Sequence, residues 1–200
     1  MTKEFVPYDT VRDNALKLGW TIVQSGFIPD VIYVSLRGGA YLGNILSEYF
    51  KVWRQGGRPV FYAAVVAHSY TDIRKNAAVR VDGWTYSPEY LRTGDKVLFV
   101  DDVFDTGRTI NHLVNVILER GLPRQDVKVA VHDYKVFRDA AAPLIAPDFY
   151  CRRHEIASRA EDPWIHYLSH ELLGLTPEER RLWYIKDDPS MAEALSVFDR

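Results

Sequence analysis

Residues 97–109 read Val-Leu-Phe-Val-Asp-Asp-Val-Phe-Asp-Thr-Gly-Arg-Thr, and no other stretch constrains the fold of this chain as tightly. Four apolar residues in a row, preceded by Lys96 and followed by acids, are the pattern of a strand buried on both faces. Asp101 and Asp102 fall at its carboxyl end, where ligands sit in open α/β sheets. Asp105, Thr106, Gly107, Arg108 and Thr109 then open a helix, expected over residues 106–120, with Ile110, Leu113, Val114, Ile117 and Leu118 on one face and Gly121 as its stop. The free N–H groups of a helix start favour an anion. Thr106 and Thr109 add hydroxyl donors, and Gly107 lets the backbone come close. The loop can therefore hold a phosphate. The two carboxylates beside it suit sugar hydroxyls or a divalent cation, because hard oxygen ligands match Mg²⁺.

The rest of the chain repeats the strand-then-helix grammar. Residues 10–25 carry Val11, Ala15, Leu18 and Ile22 at helical spacing. Residues 30–36 form a β-branched strand that ends at Arg37-Gly38-Gly39, followed by a helix with Leu42, Ile45, Leu46, Tyr49, Phe50 and Trp53 on one face. Further strands are expected over residues 60–66 and 127–131, and a long polar loop or mobile hairpin over 68–95. This order predicts an α/β fold with a mainly parallel sheet flanked by helices. From about residue 140 the prolines Pro143, Pro147, Pro163 and Pro177 break the pattern and aromatic residues cluster. The expected organisation is an α/β core over residues 1–140 and a small C-terminal hood and tail over 141–200, within one domain.

The thirteen-residue stretch resembles the phosphoribosyl-pyrophosphate (PRPP) signature of the type I phosphoribosyltransferases. The resemblance implies that Asp101 and Asp102 contact ribose hydroxyls and support Mg²⁺, and that residues 105–109 cradle the 5-phosphate. In the purine members the acid at the Asp105 position also lies near N7 of the base and exchanges the proton. Arg37, Gly38 and Gly39 then resemble the pyrophosphate loop: two glycines turn N–H groups toward the ligand, and Arg37 supplies a permanent charge. Gly38, Ala40 and Gly43 also come close to a dinucleotide fingerprint, without an acid about 20 residues on. Ser69 and Tyr70, in His68-Ser69-Tyr70, match the family's flexible lid, which keeps water from a reactive sugar centre. Lys135 matches the lysine that purine enzymes use on the 6-oxo group. Trp164 and Ile165 resemble the segment that stacks on the base and meets its edge at position 2. The continuation His166-Tyr167-Leu168-Ser169-His170-Glu171 departs from the microbial xanthine/guanine pattern, and the tail from about Leu175 matches nothing in it.

The implied activity is a pentosyltransferase of purine salvage. It moves the phosphoribosyl group from PRPP to N9 of hypoxanthine, guanine or xanthine, giving a nucleoside monophosphate and pyrophosphate, with Asp105 and Tyr70 in catalytic roles. The alternatives are a non-catalytic PRPP or nucleotide-binding regulator of the same fold, and a pyrimidine phosphoribosyltransferase. A net charge of −2 lacks the basic surplus of a nucleic-acid binder. No apolar stretch approaches about 18 residues, so no membrane partner is expected. The single cysteine, Cys151, and the absence of an apolar leader in the first residues predict a reducing, cytoplasmic setting. By resemblance the protein is a homodimer or a higher homo-oligomer.

Overall fold

The computed structural model describes residues 2–69 and 79–199. Its main sheet is built from β2 (Val31–Leu36), β3 (Phe61–Ser69), β4 (Val79–Trp84), β5 (Val97–Phe104), β6 (Val127–Phe137) and β7 (Phe149–Ile156), in the order β4-β3-β2-β5-β6-β7. Every neighbouring pair is parallel except β3 with β4, which close an antiparallel hairpin at one edge. The strands β1 (Lys3–Val6) and β8 (Trp164–Tyr167) form a separate parallel pair.

Side chains alternate across a strand, so each strand feeds two cores. Val31, Tyr33, Val97, Phe99, Val127 and Val129 face α3 (Arg108–Leu118) and its Ile110, Leu113, Val114 and Ile117. Ile32, Val34, Leu98, Val100 and Ala130 face α1 (Tyr8–Gln24) and α2 (Gly39–Trp53), which contribute Ala15, Leu18, Ile22, Leu42, Leu46 and Phe50. Burial on both sides explains why β2 and β5 read as continuous apolar runs. Gly43 is where α2 meets the sheet: a Cβ there would lie 2.0 Å from Val34 Cγ1.

The structure lengthens three strands, β3 among them, which runs on to Ser69. β5 runs through Asp101 and Asp102 to Phe104, because β6 continues to Phe137 and keeps offering ladder partners, Asp101 opposite Val131 and Phe104 opposite Tyr134. The following helix starts at Arg108 rather than 106, since Gly107 holds the left-handed φ of 73° before it. Part of the 68–95 stretch is the β3–β4 hairpin.

The hood is also drawn differently from a cut at residue 140. Phe149–Ile156 is the edge strand of the main sheet, while Lys3–Val6, from the other end of the chain, joins the hood. Pro143 and Pro147 lie in the β6–β7 connection, not in the hood. No helix covers that crossover; Asn111 of α3 anchors it instead, its amide donating to Ile145 O and accepting from Ile145 N, both at 2.8 Å. Val6, Val11, Ile165 and Tyr167 form the hood's own small core, which rests on Tyr41 and Val103. The tail caps it. Thr176 and Glu179 make a capping box at α4 (Pro177–Arg180), Lys3 Nζ reaches Glu179 Oε2 at 2.6 Å, and Trp183 packs on Phe5.

Candidate active site

The strand order reverses between β2 and β5: the chain goes from β2 to β3 on one side and places β5 on the other. Ligands of open α/β sheets bind in the crevice at such a switch point, beyond the carboxyl ends of the strands. The two loops singled out in the sequence leave β2 and β5 there. They touch. A Cβ on Gly38 would lie 2.2 Å from Asp102 Oδ2, and one on Gly39 would lie 2.4 Å from the Val100 carbonyl oxygen. At Gly39 the neighbour is backbone and only glycine fits; at Gly38 a side chain would displace the Asp102 carboxylate. The Leu36–Arg37 peptide is cis, and the Arg37 side chain is exposed at the mouth of the crevice.

Asp101 and Asp102 sit on consecutive positions of β5. Asp102 N–H donates to Asp101 Oδ1 at 3.0 Å, and Val103 N–H to Asp102 Oδ1 at 2.7 Å. Burial, and then the neighbouring Asp102, push the Asp101 carboxyl well above the usual carboxylate range. Two crowded acids with so little compensating charge fit a cation supplied with the substrate. Mg²⁺ is commonly held by one or two carboxylates plus substrate phosphates and water, so this pair suffices. Among the described residues no set of three acid, histidine or cysteine side chains could hold a metal alone.

Asp105, Thr106 and Arg108 are exposed along the turn into α3. Gly107 is packed on Phe104, where a Cβ would come within 2.3 Å of the ring. That contact and the positive φ leave no other residue type comfortable at this position. Thr109 lies in the first turn of α3.

The residues expected on the base side are spread over two cavities and the hood core. Lys135 is buried; its Nζ donates to Asp162 Oδ1 at 2.6 Å and to Pro163 O at 2.9 Å, leaving one of three N–H groups. It thereby fixes the segment before Trp164. The Trp164 side chain is half exposed over a cavity of about 580 Å³ that Arg37, Gly38, Asp102, His170, Glu171 and Leu172 also line. A second cavity, about 440 Å³, holds Asp105, Thr106, Arg108, Lys135 and Arg159. The Ile165 side chain is hood core, while its strand β8 pairs with β1 on one edge only among the described residues. Tyr70 lies outside the described residues, and so does the side chain of Ser69.

Four further side chains, none of them conspicuous in the sequence, contact these residues, the fourth through Tyr167. Arg159 Nη1 donates to Asp105 Oδ1 at 2.6 Å. Glu171 Oε2 accepts from Trp164 Nε1 at 3.4 Å and from Tyr167 N at 3.1 Å, which orients the indole. His170 Nε2 reaches Asp102 Oδ2 at 3.3 Å, its ring stacked on Tyr167. His154, His166 and His170 are thus engaged separately, with His154 on Asp133 and His166 on the Glu171 carbonyl.

The fourth is Asp133, fully buried. Its Oδ1 accepts from Arg152 Nε and His154 Nε2, each at 2.6 Å, and its Oδ2 meets His132 Nδ1 at 2.6 Å and the Tyr167 hydroxyl. Burial opposes its charge, but the hydrogen bonds of His132, His154 and Arg152 outweigh that and hold its carboxyl far below the usual range. Arg152 also donates to Glu4 Oε1 at 2.6 Å, and Tyr167 OH lies 3.1 Å from Asp102 O. The network ties β6, β7, β1 and β8 to the acid pair. Nearby, burial first of all pushes the Cys151 thiol up to about 12, which leaves it a protonated packing group.

The glycine loop, the acid pair and the turn into α3 all leave the sheet at its switch point, where ligands of open α/β sheets bind. The chain belongs to the phosphoribosyl transferase domain family, whose model matches residues 8–154, and it is a phosphoribosyltransferase. Among solved structures it is similar to a purine phosphoribosyltransferase from Pyrococcus horikoshii Ot3, with 19% identity and a TM-score of 0.64 over 88% of this chain and 99% of that one. A hypothetical protein from Neisseria gonorrhoeae with bound ppGpp gives 20% identity and a TM-score of 0.64 over 96% and 97%. A xanthine-guanine-hypoxanthine phosphoribosyltransferase from Helicobacter pylori gives 15% and 0.56 over 84% and 91%. No protein with a curated description matches the chain in sequence.

Proposed function

We propose that the protein transfers the 5-phosphoribosyl group of PRPP to N9 of a 6-oxopurine, releasing pyrophosphate and the nucleoside monophosphate, as a purine-salvage enzyme. The observation that carries this reading is the Gly38–Asp102 contact at the switch point, with Trp164 lining the cavity on that side, Asp105 and Lys135 lining a second cavity, and the Lys135–Pro163 hydrogen bond linking the two. Residues 105–109 hold the 5-phosphate through N–H groups and hydroxyls. Asp101 and Asp102 hold the ribose hydroxyls and Mg²⁺, which when bound neutralises charge on the pyrophosphate. Arg37 and the Gly38–Gly39 backbone stabilise the leaving group as the C1′–O bond breaks and C1′–N9 forms. Asp105 takes the proton that the base gives up, and the remaining Lys135 N–H meets the 6-oxo group. Trp164 stacks on the purine, the Ile165 backbone meets its edge at position 2, and the hood, together with Ser69 and Tyr70, keeps water from the cationic sugar centre.

Incubation with PRPP, Mg²⁺ and, separately, hypoxanthine, guanine, xanthine, adenine and uracil tests the base class; nucleotide from uracil alone would move the assignment to a pyrimidine enzyme. Trp164→Ala is expected to raise KM for the base about tenfold, in line with the roughly 1–3 kcal/mol of a base–aromatic stack, and to leave KM for PRPP unchanged. Steady-state kinetics with each substrate varied in turn checks this.

We further propose a second ligand for the same site. The Neisseria protein with bound ppGpp matches this chain nearly end to end, beyond residue 154, where the family model stops. This supports occupancy of the site by a guanine nucleotide carrying additional phosphates, read out as competition between ppGpp and PRPP. The reading also carries a cytoplasmic homodimer or higher homo-oligomer; the exposed Trp20, Val52 and Trp53 on α1 and α2 support it, while no described helix is long and apolar enough to cross a membrane.

A further inference from the structure

Arg159 stands where the phosphate turn meets the hood. It lies in a short 3₁₀ turn, Arg159–Glu161, and its side chain is about half exposed, so its ion pair with Asp105 contributes little to stability. Its geometry is nonetheless tightly defined. The guanidinium carbon lies over the Phe137 ring, 3.6 Å from the centroid, and Nη1 lies 2.6 Å from Asp105 Oδ1. Asp162 Oδ2 is 3.6 Å from the same nitrogen. The other oxygen of Asp162 accepts from Lys135 Nζ, which also holds Pro163 O, the residue before Trp164. A continuous line of contacts therefore runs from Asp105 through Arg159, Asp162 and Lys135 to the stacking tryptophan.

Asp105 is an exposed side chain on a turn, and nothing else among the described residues fixes its rotamer. Arg159 binds one of its oxygens and leaves Oδ2 without a hydrogen bond among the described residues, free to face a base. A lysine could supply the charge but not the planar fork that stacks on Phe137.

We propose that Arg159 is a positioning residue: it aims the free oxygen of Asp105 at the base and couples that aim, through Asp162 and Lys135, to the seating of Trp164. The proposal rests on the assignment of Asp105 and Trp164 to the base side of the site.

The test compares two ligands that share ribose and phosphate and differ in the base, inosine monophosphate and ribose 5-phosphate. Their binding to the full chain and to Arg159→Gln and Arg159→Lys is measured by calorimetry, beside steady-state kinetics and thermal unfolding. Arg159→Gln is expected to weaken the nucleotide about tenfold, the worth of one hydrogen bond to a charged group, and to leave ribose 5-phosphate within about twofold. The kcat should fall on the order of a hundredfold at unchanged KM for PRPP, as for a misplaced catalytic group. Arg159→Lys should recover only part of either effect, and the unfolding temperature should not move. Equal weakening of both ligands would make Arg159 a phosphate ligand and overturn the proposal, as would no change in either. A wild-type chain that binds both ligands but forms no nucleotide with any base would overturn the transferase reading alone, and the binding contrast would still decide the role of Arg159.

Discussion

Asp105→Asn lowers kcat by on the order of 10²–10⁴, the range for removing a general acid–base group, and leaves PRPP affinity within about twofold. The substitution keeps the shape of the side chain and its contact with Arg159, 2.6 Å away in the wild type. The phosphate turn is held by other features: the left-handed Gly107 packed on Phe104, and the first turn of α3. What the amide cannot do is take a proton from the base. The loss therefore falls on the chemical step and not on binding. Isothermal calorimetry with PRPP and Mg²⁺, beside turnover with saturating base, separates the two. Equal losses in affinity and turnover would mean that Asp105 is a phosphate-loop scaffold.

Asp133→Ala is expected to destabilise the fold by about 3–5 kcal/mol, because removing one member of a buried ionic cluster strands the others. Arg152, His132, His154 and the Tyr167 hydroxyl all converge on this carboxylate, and one Arg152 nitrogen is already buried without a partner. For a chain of this size that corresponds to a drop in unfolding temperature on the order of 10 °C. The pH dependence has a definite sign. The folded state holds the Asp133 carboxyl below its unfolded range, through the hydrogen bonds that outweigh its burial. Its contribution is then fully present above the ordinary carboxylate value near ~4 and is lost as the pH falls below it. Wild type should lose stability toward acid more steeply than Asp133→Ala. Chemical denaturation of both proteins from neutral pH down to well below the ordinary carboxylate value of about 4 checks this, and parallel curves over that range would contradict the role of the network. Because Tyr167 also lies on the Asp102 backbone, the variant should bind PRPP more weakly even where it stays folded.

The parts of this molecule that were legible in its residues are the local ones. A buried strand, a glycine turn and a helix start follow each other within a dozen positions, so residues 97–109 and 31–53 could be read with their loops. That Gly38 rests on the Asp102 carboxylate was not legible, because two segments about sixty positions apart meet only through the parallel pairing of β2 and β5. The hood was less legible still. Lys3 pairs opposite Trp164, and no short-range pattern announces a parallel partner at that distance. The run Arg152-Arg153-His154-Glu155 looks like a solvated surface, yet it is an edge strand whose Arg152 and His154 turn inward to Asp133. The available signal was weak: His132 and Asp133 continue an apolar strand, and an acid in such a place needs cations nearby. Arg159 gave no sign, since Asp105 is 54 positions away and an exposed arginine is common. Lys135 lines a cavity with Asp105 and Thr106, and its bonds to Asp162 and Pro163 show it building the wall as well as lining it.

The most direct test of the account is the release of pyrophosphate from PRPP by the wild-type chain with Mg²⁺, measured with hypoxanthine, guanine or xanthine and without any base. The predicted result is release that depends on a 6-oxopurine and matches nucleoside monophosphate formation one for one. Tight PRPP binding with no base-dependent release from any of the three would contradict it, and would leave a binding site of transferase form without the transfer.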